Sequence, residues 1–170
     1  LDMVFRSHSS HIGSAFSIAD ILAVLYSDIM ELQPNNPLYA ERDRFILSKG
    51  HACVALYSTL AHLGYFPINE LYSYGTMESN LMGHVSHKVL GVEFSSGSLG
   101  HGLSFGIGKA QAAKLKKQNW RTFILLSDGE LSEGSNWEGF FYAAHHKLDN
   151  LTVIIDNNRL QGLGKNKDIL

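Results

Sequence analysis

Residues 121–161 read RTFILLSDGELSEGSNWEGFFYAAHHKLDNLTVIIDNNRLQ, and they predict the architecture of the chain. Two short apolar runs, 122–126 and 151–155, each stop abruptly at polar turn residues, and a segment with helical spacing lies between them. Short apolar runs joined by a helix are typical of a βαβ unit in a parallel sheet. Both strands then point the same way, so their carboxyl ends meet at the edge where open α/β sheets bind ligands.

Polar residues leave both predicted strands at this edge. Asp128 and Gly129 follow the first strand, and Asn158 follows the second. A carboxylate and an amide oxygen suit Mg²⁺, which takes oxygen ligands and is usually shared with phosphate groups. Gly129 allows a backbone N–H to approach a phosphate closely, and the following helix adds a positive dipole end. The unit therefore predicts a metal–diphosphate site, although each residue alone is also common in strand-end turns.

The residues at the two strand ends, Asp128-Gly129 and Asn157-Asn158, together resemble the fingerprint of thiamine-diphosphate enzymes. The segments DGELSEGSNWEG, KLDNL and IIDNNRLQ are similar to transketolase, and the resemblance runs from Ser10 through nearly the whole chain. It implies the thiamine-diphosphate-binding (PP domain) fold, an α/β fold in which helices flank a parallel sheet. Residues 1–170 are expected to form one such domain, apparently truncated at both ends.

The resemblance also implies a set of ligands for the metal and the diphosphate. Asp128, Asn158 and the backbone carbonyl of Leu160 would hold Mg²⁺, for which Ca²⁺ or Mn²⁺ could substitute. Gly129 and His51 would hold the diphosphate of the cofactor.

Three histidines carry the catalytic roles that the resemblance implies. His11, His51 and His84 would hydrogen-bond substrate hydroxyls or move protons, a task suited to a side chain that titrates near neutral pH. The chain has Ile after His11 and Val after His84, where the family usually has Pro. The roles of His87 and His101 stay open.

A glycine-rich stretch precedes the βαβ unit. By resemblance, Gly97, Ser98 and Leu99 would contact the aminopyrimidine end of the cofactor. Further glycines lie inside the apparent helix that follows, and we expect them to pack against another backbone at a subunit seam: Gly102, Gly106 and Gly108. Their spacing does not match the G-x-G-x-x-G pattern of dinucleotide-binding sites.

The implied function is that of the N-terminal subunit of a transketolase, which depends on thiamine diphosphate and Mg²⁺ and transfers a two-carbon ketol unit between sugar phosphates. In this family the glutamate that protonates the pyrimidine ring belongs to a separate pyrimidine-binding domain. A partner subunit with that domain, arranged in a heterotetramer, is therefore expected, together with self-association of this chain. The chain alone is expected to be inactive.

Alternatives stay open at this point. Relatives with the same cofactor act on 2-oxo acids, such as dehydrogenase E1 components and deoxyxylulose-phosphate synthase, or modify sugars by acyl transfer. A non-catalytic assembly subunit would keep only the fold. The histidine loops at His11 and His84 favour transketolase.

The composition argues against several classes of protein. The 170 residues carry a net charge of −2 without a basic stripe, so nucleic acid is not expected as a partner. The single cysteine, Cys53, cannot form an internal disulfide and is expected in the core. We see no signal peptide and no apolar run of about twenty residues, so we expect a cytoplasmic protein without membrane association.

Other patterns predict local elements. We expect a helix over residues 17–30 capped by Ser17, a strand over 45–47, and a helix that begins near His51 and ends at Gly64.

The helix after Asp128 has capping-box spacing between Ser135 and Glu138. An apolar stripe is expected to face the core: Trp137, Phe140, Phe141, Ala144 and Leu148. Glu133 and Glu138 are either coupling carboxylates at a dimer contact, as the resemblance implies, or solvated acids at the positive end of the helix.

Overall fold

A three-stranded parallel sheet lies at the centre of the computed structural model, which describes residues 1–169; Leu170, the last residue of the predicted domain, lies outside that range. The strands are β1 (Arg44–Leu47), β2 (Thr122–Ser127) and β3 (Leu151–Asp156), in the order β1-β2-β3. All three strands were predicted from their apolar runs. In the register of β2 and β3, Ser127 lies opposite Asp156, so both strands end at the same level.

Helices cover both faces of the sheet. The helices are α1 (Asp2–Ser7), α2 (Ile12–Phe16), α3 (Ala19–Val24), α4 (Cys53–His62), α5 (Gly102–Leu115), α6 (Gly134–His145) and α7 (Asn166–Ile169). One π-helical turn, Leu25–Ile29, extends α3, and 3₁₀ turns cover Gly50–Ala52, Ile68–Ser73 and Gly129–Ser132. A two-stranded antiparallel hairpin joins β4 (Leu160–Gln161) to β5 (Gly164–Lys165).

The core has two layers because side chains alternate between the two faces of each strand. One face packs beneath α3 and α4 with Phe45, Leu47, Phe123 and Leu125. The other packs beneath α5 with Ile46, Ile124 and Leu126. The predicted fold class, a parallel sheet flanked by helices, is confirmed.

Two of the three glycines predicted at a subunit seam, Gly102 and Gly106, pack inside the chain instead. A Cβ added at Gly106 would lie 2.2 Å from Cδ1 of Ile124, and one at Gly102 would lie 2.3 Å from Oγ of Ser48. Gly108 has open space around its Cα. The first two glycines therefore let α5 approach the sheet closely, while the prediction of a seam is wrong for them.

The buried face of α6 differs from the predicted stripe. Leu148 is buried and Phe140 is partly buried, but Trp137 is 50% exposed and Phe141 is 74% exposed, and Ala144 is also exposed. The helix instead buries Asn136 and Gly139. The spacing of apolar residues identified the helix correctly, but it could not say which side faces the sheet.

The predicted capping box is also wrong. The N-cap residue of α6 is Glu133, without a side-chain capping hydrogen bond, and Glu133 and Glu138 are both exposed. The Ser135 hydroxyl instead donates to the carbonyl of Gly100 at 2.7 Å.

The predicted helix over residues 17–30 begins two residues later, at Ala19, and runs through α3 and its π-helical extension to Ile29. Ser17 falls between α2 and α3, and its hydroxyl donates to the carboxylate of Asp156 at 2.8 Å instead of capping a helix. By contrast, α4 follows the expected course, since it ends beside Gly64, which has a φ of 82°.

One helical stretch in the described residues, Ile12–Ile29, is long and apolar enough to span a membrane, which corrects the expectation that the chain has no such run. A core helix of a globular protein or an N-terminal signal sequence passes the same test, so length and composition do not distinguish them. In this fold, Ile18, Leu22 and Leu25 of the stretch are buried in the core against α4.

We predict that Gly106→Ala lowers the free energy of unfolding by about 1–3 kcal/mol, because its methyl group would overpack against buried Ile124. Gly108→Ala is the matched control in the same helix, and it should raise that free energy by about 1 kcal/mol through helix propensity. Urea unfolding of the two variants measures both effects. Equal changes of the free energy of unfolding in the two variants would contradict the close packing of Gly106 against Ile124.

Candidate active site

The ends of β2 and β3 are joined by hydrogen bonds around Asp128. One carboxylate oxygen of Asp128 accepts from the N–H of Gly129 at 2.9 Å, and the other accepts from the N–H of Arg159 at 2.7 Å. The amide oxygen of Asn158 accepts from the N–H of Leu160 at 2.9 Å. The carboxylate therefore touches the segment that carries the other two predicted metal ligands.

The chemistry of this donor set fits Mg²⁺. Among residues 1–169 there is no group of three or more His, Cys, Asp or Glu side chains that could hold a metal ion. Asp128, Asn158 and the carbonyl of Leu160 offer a carboxylate, an amide and a main-chain oxygen, all hard ligands. Magnesium is typically held by one or two carboxylates and completed by phosphate and water oxygens.

A buried ion pair orients Asn158. Nζ of Lys49 lies 2.6 Å from Oδ2 of Asp156, and both side chains are buried. Nδ2 of Asn158 donates to the same Oδ2 at 3.3 Å and to Oγ of Ser17 at 3.2 Å. Because both neighbours accept, the amide nitrogen faces them and the amide oxygen faces the Leu160 side.

The sequence reasoning missed Ser17, Lys49 and Asp156. A signal existed, because Lys49 follows the apolar run of β1 and Asp156 ends that of β3. Opposite charges at the ends of two strands in one sheet can pair. The strand order that brings these ends together was not predicted, so the pair was not recognised.

The three predicted histidines form one cluster. The ring of His51 lies between the other two, with ring centroids 4.8 Å from His11 and 4.6 Å from His84. The His11 and His84 centroids are 6.4 Å apart. His11 has a φ of 70°, a left-handed conformation that is uncommon for a residue other than glycine.

Burial and the neighbouring cluster favour the neutral form of His51. Burial lowers the pKa of His51, and the nearby His84, His11 and Lys49 lower it further by charge repulsion. A neutral imidazole can donate from one ring nitrogen and accept at the other, which suits contact with hydroxyl groups.

A cleft of about 560 Å³ connects these groups. Six of the predicted site residues line it, and they are His11, His51, Leu99, Gly129, Asn158 and Leu160. Its volume is in the range of sites for small molecules and cofactors, which is roughly 300–1,000 Å³.

The other predicted site residues lie outside the cleft lining, and they are His84, Gly97, Ser98 and Asp128. The His84 ring contacts the His51 ring but does not line the cleft. Gly97 lies against His84, since a Cβ at Gly97 would approach the His84 ring to 2.9 Å. Ser98 is exposed. The histidines of open role, His87 and His101, are exposed as well, and His87 bonds to Ser95.

The residues that line the cleft fit thiamine diphosphate. At one end, Gly129 borders it close to the predicted metal ligands Asn158 and Leu160, so a backbone without Cβ faces the space for a diphosphate. The charge of Lys49, which also borders the cleft, is paired with Asp156. A Cβ at Gly129 would come within 2.8 Å of the Gln161 side chain and narrow that space. Leu99 gives the cleft an apolar contact for a ring.

Cys53 is buried, as expected, and it has no sign of reactivity. Burial raises the pKa of the Cys53 thiol to about 11, against the weaker opposing effect of its hydrogen bond with Tyr74. The thiol is therefore protonated at neutral pH and behaves as a small core side chain.

We predict that His51 titrates below the ordinary histidine pKa of about 6.5, and that His84→Gln raises its pKa by removing one repelling neighbour. Because the unfolded chain then binds this proton more readily, His51 makes the free energy of unfolding fall as the pH drops below about 6.5. NMR titration of the ring protons measures the pKa. His62→Gln, at an exposed position on α4, is the control. An equal shift of the His51 pKa in both variants would contradict the effect of His84 on His51.

Comparison with known proteins identifies the family of this chain. The family model for the transketolase thiamine diphosphate binding domain matches residues 1–169. An apulose-4-phosphate transketolase subunit from Phocaeicola vulgatus is 42% identical over 170 residues, which is 100% of this chain and 60% of that protein. The protein of the same name from Actinobacillus succinogenes is 45% identical over 161 residues, 94% of this chain and 58% of that protein. The chain thus spans about three-fifths of the length of these relatives.

Solved structures agree in fold over 99% of the chain. Transketolase from Campylobacter jejuni superposes with a TM-score of 0.93 at 35% identity, and the match covers 28% of that protein. Transketolase from Leishmania mexicana superposes with a TM-score of 0.89 at 30% identity and is covered to 27%. The chain therefore belongs to the transketolase family and matches its thiamine diphosphate binding domain.

Proposed function

We propose that this chain is the N-terminal subunit of a transketolase that binds thiamine diphosphate and Mg²⁺ and transfers a two-carbon ketol unit between sugar phosphates. The observation that carries the proposal is the contact between the carboxylate of Asp128 and the N–H of Arg159 at 2.7 Å. This contact joins the ends of β2 and β3, and it supports the proposal that one divalent ion binds between them. The family match supports the choice of cofactor.

Residues at the strand ends would hold the metal and the diphosphate. Asp128, Asn158 and the Leu160 carbonyl are the proposed metal ligands, and Gly129 and His51 the proposed diphosphate contacts. When bound, the cofactor supplies the nucleophilic carbon that reacts at the ketose carbonyl. The protein's task is to bind, orient and exclude water.

The histidine cluster would recognise the sugar. His11, His51 and His84 offer several ring nitrogens within a few ångströms, which suits a substrate with successive hydroxyl groups. The lowered pKa of His51 lets it accept a proton or donate a hydrogen bond near neutral pH. Such a cluster favours a polyhydroxy substrate over a 2-oxo acid.

The partner would be a second subunit with the pyrimidine-binding domain. The relatives from Phocaeicola vulgatus and Actinobacillus succinogenes are both named as subunits of a transketolase rather than as whole enzymes. A relative from a Clostridium species, 38% identical over 170 residues, is named 6-deoxy-6-sulfo-D-fructose transketolase subunit SqwG. We therefore propose an active site shared between two kinds of subunit, in a heterotetramer, with sugar phosphates or similar anionic sugars as substrates. We further propose a cytoplasmic location, which the single buried Cys53 suits.

We predict that Asn158→Ala weakens binding of Mg²⁺–thiamine diphosphate about 10- to 100-fold, as expected when a metal-site contact is lost. Asn157→Ala is the matched control, because Asn157 is adjacent but exposed. Calorimetry on the full-length protein assembled with its partner subunit measures both. Equal binding by the two variants would overturn the ligand assignment, and absence of binding by the unaltered protein would overturn the proposed cofactor.

A substrate panel with the same assembly tests the reaction class. We expect ketol transfer from a ketose phosphate to an aldose phosphate. Consumption of pyruvate without ketose turnover would show a 2-oxo acid enzyme, and cofactor binding without turnover of either class would show an assembly subunit.

A further inference from the structure

Glu130 is a buried carboxylate close to the proposed metal site. It is 0% exposed and lies in the 3₁₀ turn that follows Asp128. One carboxylate oxygen accepts from the Ser48 hydroxyl and from the N–H of Gly100 at 2.9 Å. The other accepts from the N–H of Ser127 at 3.4 Å. Within residues 1–169, no Lys, Arg or His forms a salt bridge with it.

These three donors belong to three different elements. Ser48 directly follows β1 and precedes Lys49, Ser127 ends β2, and Gly100 closes the loop that contains Gly97 to Leu99. The Glu130 side chain therefore links the loop over residues 97–100, which is proposed to contact the aminopyrimidine end of the cofactor, to the strand ends. Those strand ends carry the proposed metal and diphosphate contacts.

Two hydrogen bonds fix Gly100, the last residue of the loop, one through its N–H and one through its carbonyl. Gly100 donates its N–H to Glu130, and its carbonyl accepts from the hydroxyl of Ser135 at 2.7 Å. Gly100 has a φ of 80°, and a Cβ there would lie 2.7 Å from Cβ of Glu133. The loop end therefore has little freedom to move while both hydrogen bonds are present.

Core packing alone does not account for this residue. Burying a carboxylate without a cationic partner costs free energy that an apolar side chain of similar shape would not cost. In the structure, the Glu130 carboxylate accepts hydrogen bonds that orient the N–H groups of Gly100 and Ser127 and the hydroxyl of Ser48. All three lie at the ends of segments that border the cleft.

We infer that Glu130 is a positioning residue of the cofactor cleft: it fixes the loop ending at Gly100 relative to the strand end at Asp128. The two ends of one thiamine diphosphate molecule would meet these two segments, so their separation must match the length of the cofactor. This inference rests on the proposed function.

The test compares two ligands of different length on the full-length protein assembled with its partner subunit. Mg²⁺–pyrophosphate reaches only the metal end of the cleft, whereas Mg²⁺–thiamine diphosphate reaches both ends. Calorimetry measures their affinities for Glu130→Ala, for Glu130→Gln, and for Glu70→Gln, an exposed carboxylate on the 68–73 turn that serves as control. Hydrogen–deuterium exchange of residues 97–100 without any ligand gives an independent readout.

For Glu130→Ala we expect faster exchange at 97–100 and thiamine diphosphate affinity weaker by about tenfold or more, with little change for pyrophosphate. Glu130→Gln keeps an oxygen that can accept from Ser48 and Gly100, so it should restore most of the affinity. Glu70→Gln should behave as the unaltered protein. If Glu130→Ala does not fold, Ser135→Ala removes the second hold on Gly100 and should show the same pattern more weakly.

Unchanged exchange and affinity in both Glu130→Ala and Ser135→Ala would overturn the inference. Equal weakening of both ligands in a folded variant would do so too, because it would show general damage to the cleft. If the unaltered protein binds pyrophosphate but not thiamine diphosphate, the proposed function fails, and the exchange data alone then decide whether Glu130 holds the loop.

Discussion

The parallel register of β2 and β3 controls the geometry of the cleft. Since Ser127 lies opposite Asp156, the chain leaves both strands at one level, and the Asp128 carboxylate reaches the N–H of Arg159. A slip of one residue would turn the side chains of β3 to the opposite faces of the sheet. The ends of β2 and β3 would then no longer lie level, and Asp156 would face away from Lys49, so the buried packing that sets the register also sets the site.

An ion pair and hydrogen bonds between buried polar groups fix the side-chain positions at these strand ends. The Lys49–Asp156 pair links the ends of β1 and β3, and the Asp156 carboxylate orients the amide of Asn158. Removing one partner of a buried pair typically costs about 3–5 kcal/mol, because the other charge stays buried without compensation. Loss of either partner would therefore destabilise the fold and also remove a group that orients Asn158 or its neighbour Asp156. The Glu130 carboxylate likewise links Ser48, which follows β1, to Gly100 at the end of the loop.

The main elements and the shared edge of two strands could be predicted because they depend on local patterns, whereas the grouping of the histidines was implied by the resemblance to transketolase. Apolar runs ending in Asp128 and Asn158 identified two strands and their shared edge. Contacts between residues far apart in sequence could not be predicted: the hydroxyl of Ser17 resembled a helix cap, yet it bonds to Asp156. The exposed Phe141 shows the same limit, since apolar spacing marks a helix without saying which side meets the sheet. The chemical roles of the three histidines stay predictions, although their rings do form one cluster.

The central claim is that one divalent ion bridges the ends of β2 and β3 and holds a diphosphate there. The most direct measurement is a crystal structure of the full-length protein, assembled with its partner and loaded with Mn²⁺ and thiamine diphosphate, with the metal located by anomalous scattering. We expect one metal peak within bonding distance of the Asp128 carboxylate, the Asn158 amide oxygen and the Leu160 carbonyl, with diphosphate oxygens completing the coordination of the metal. A metal bound elsewhere, or a diphosphate held away from these strand ends, would contradict the central claim.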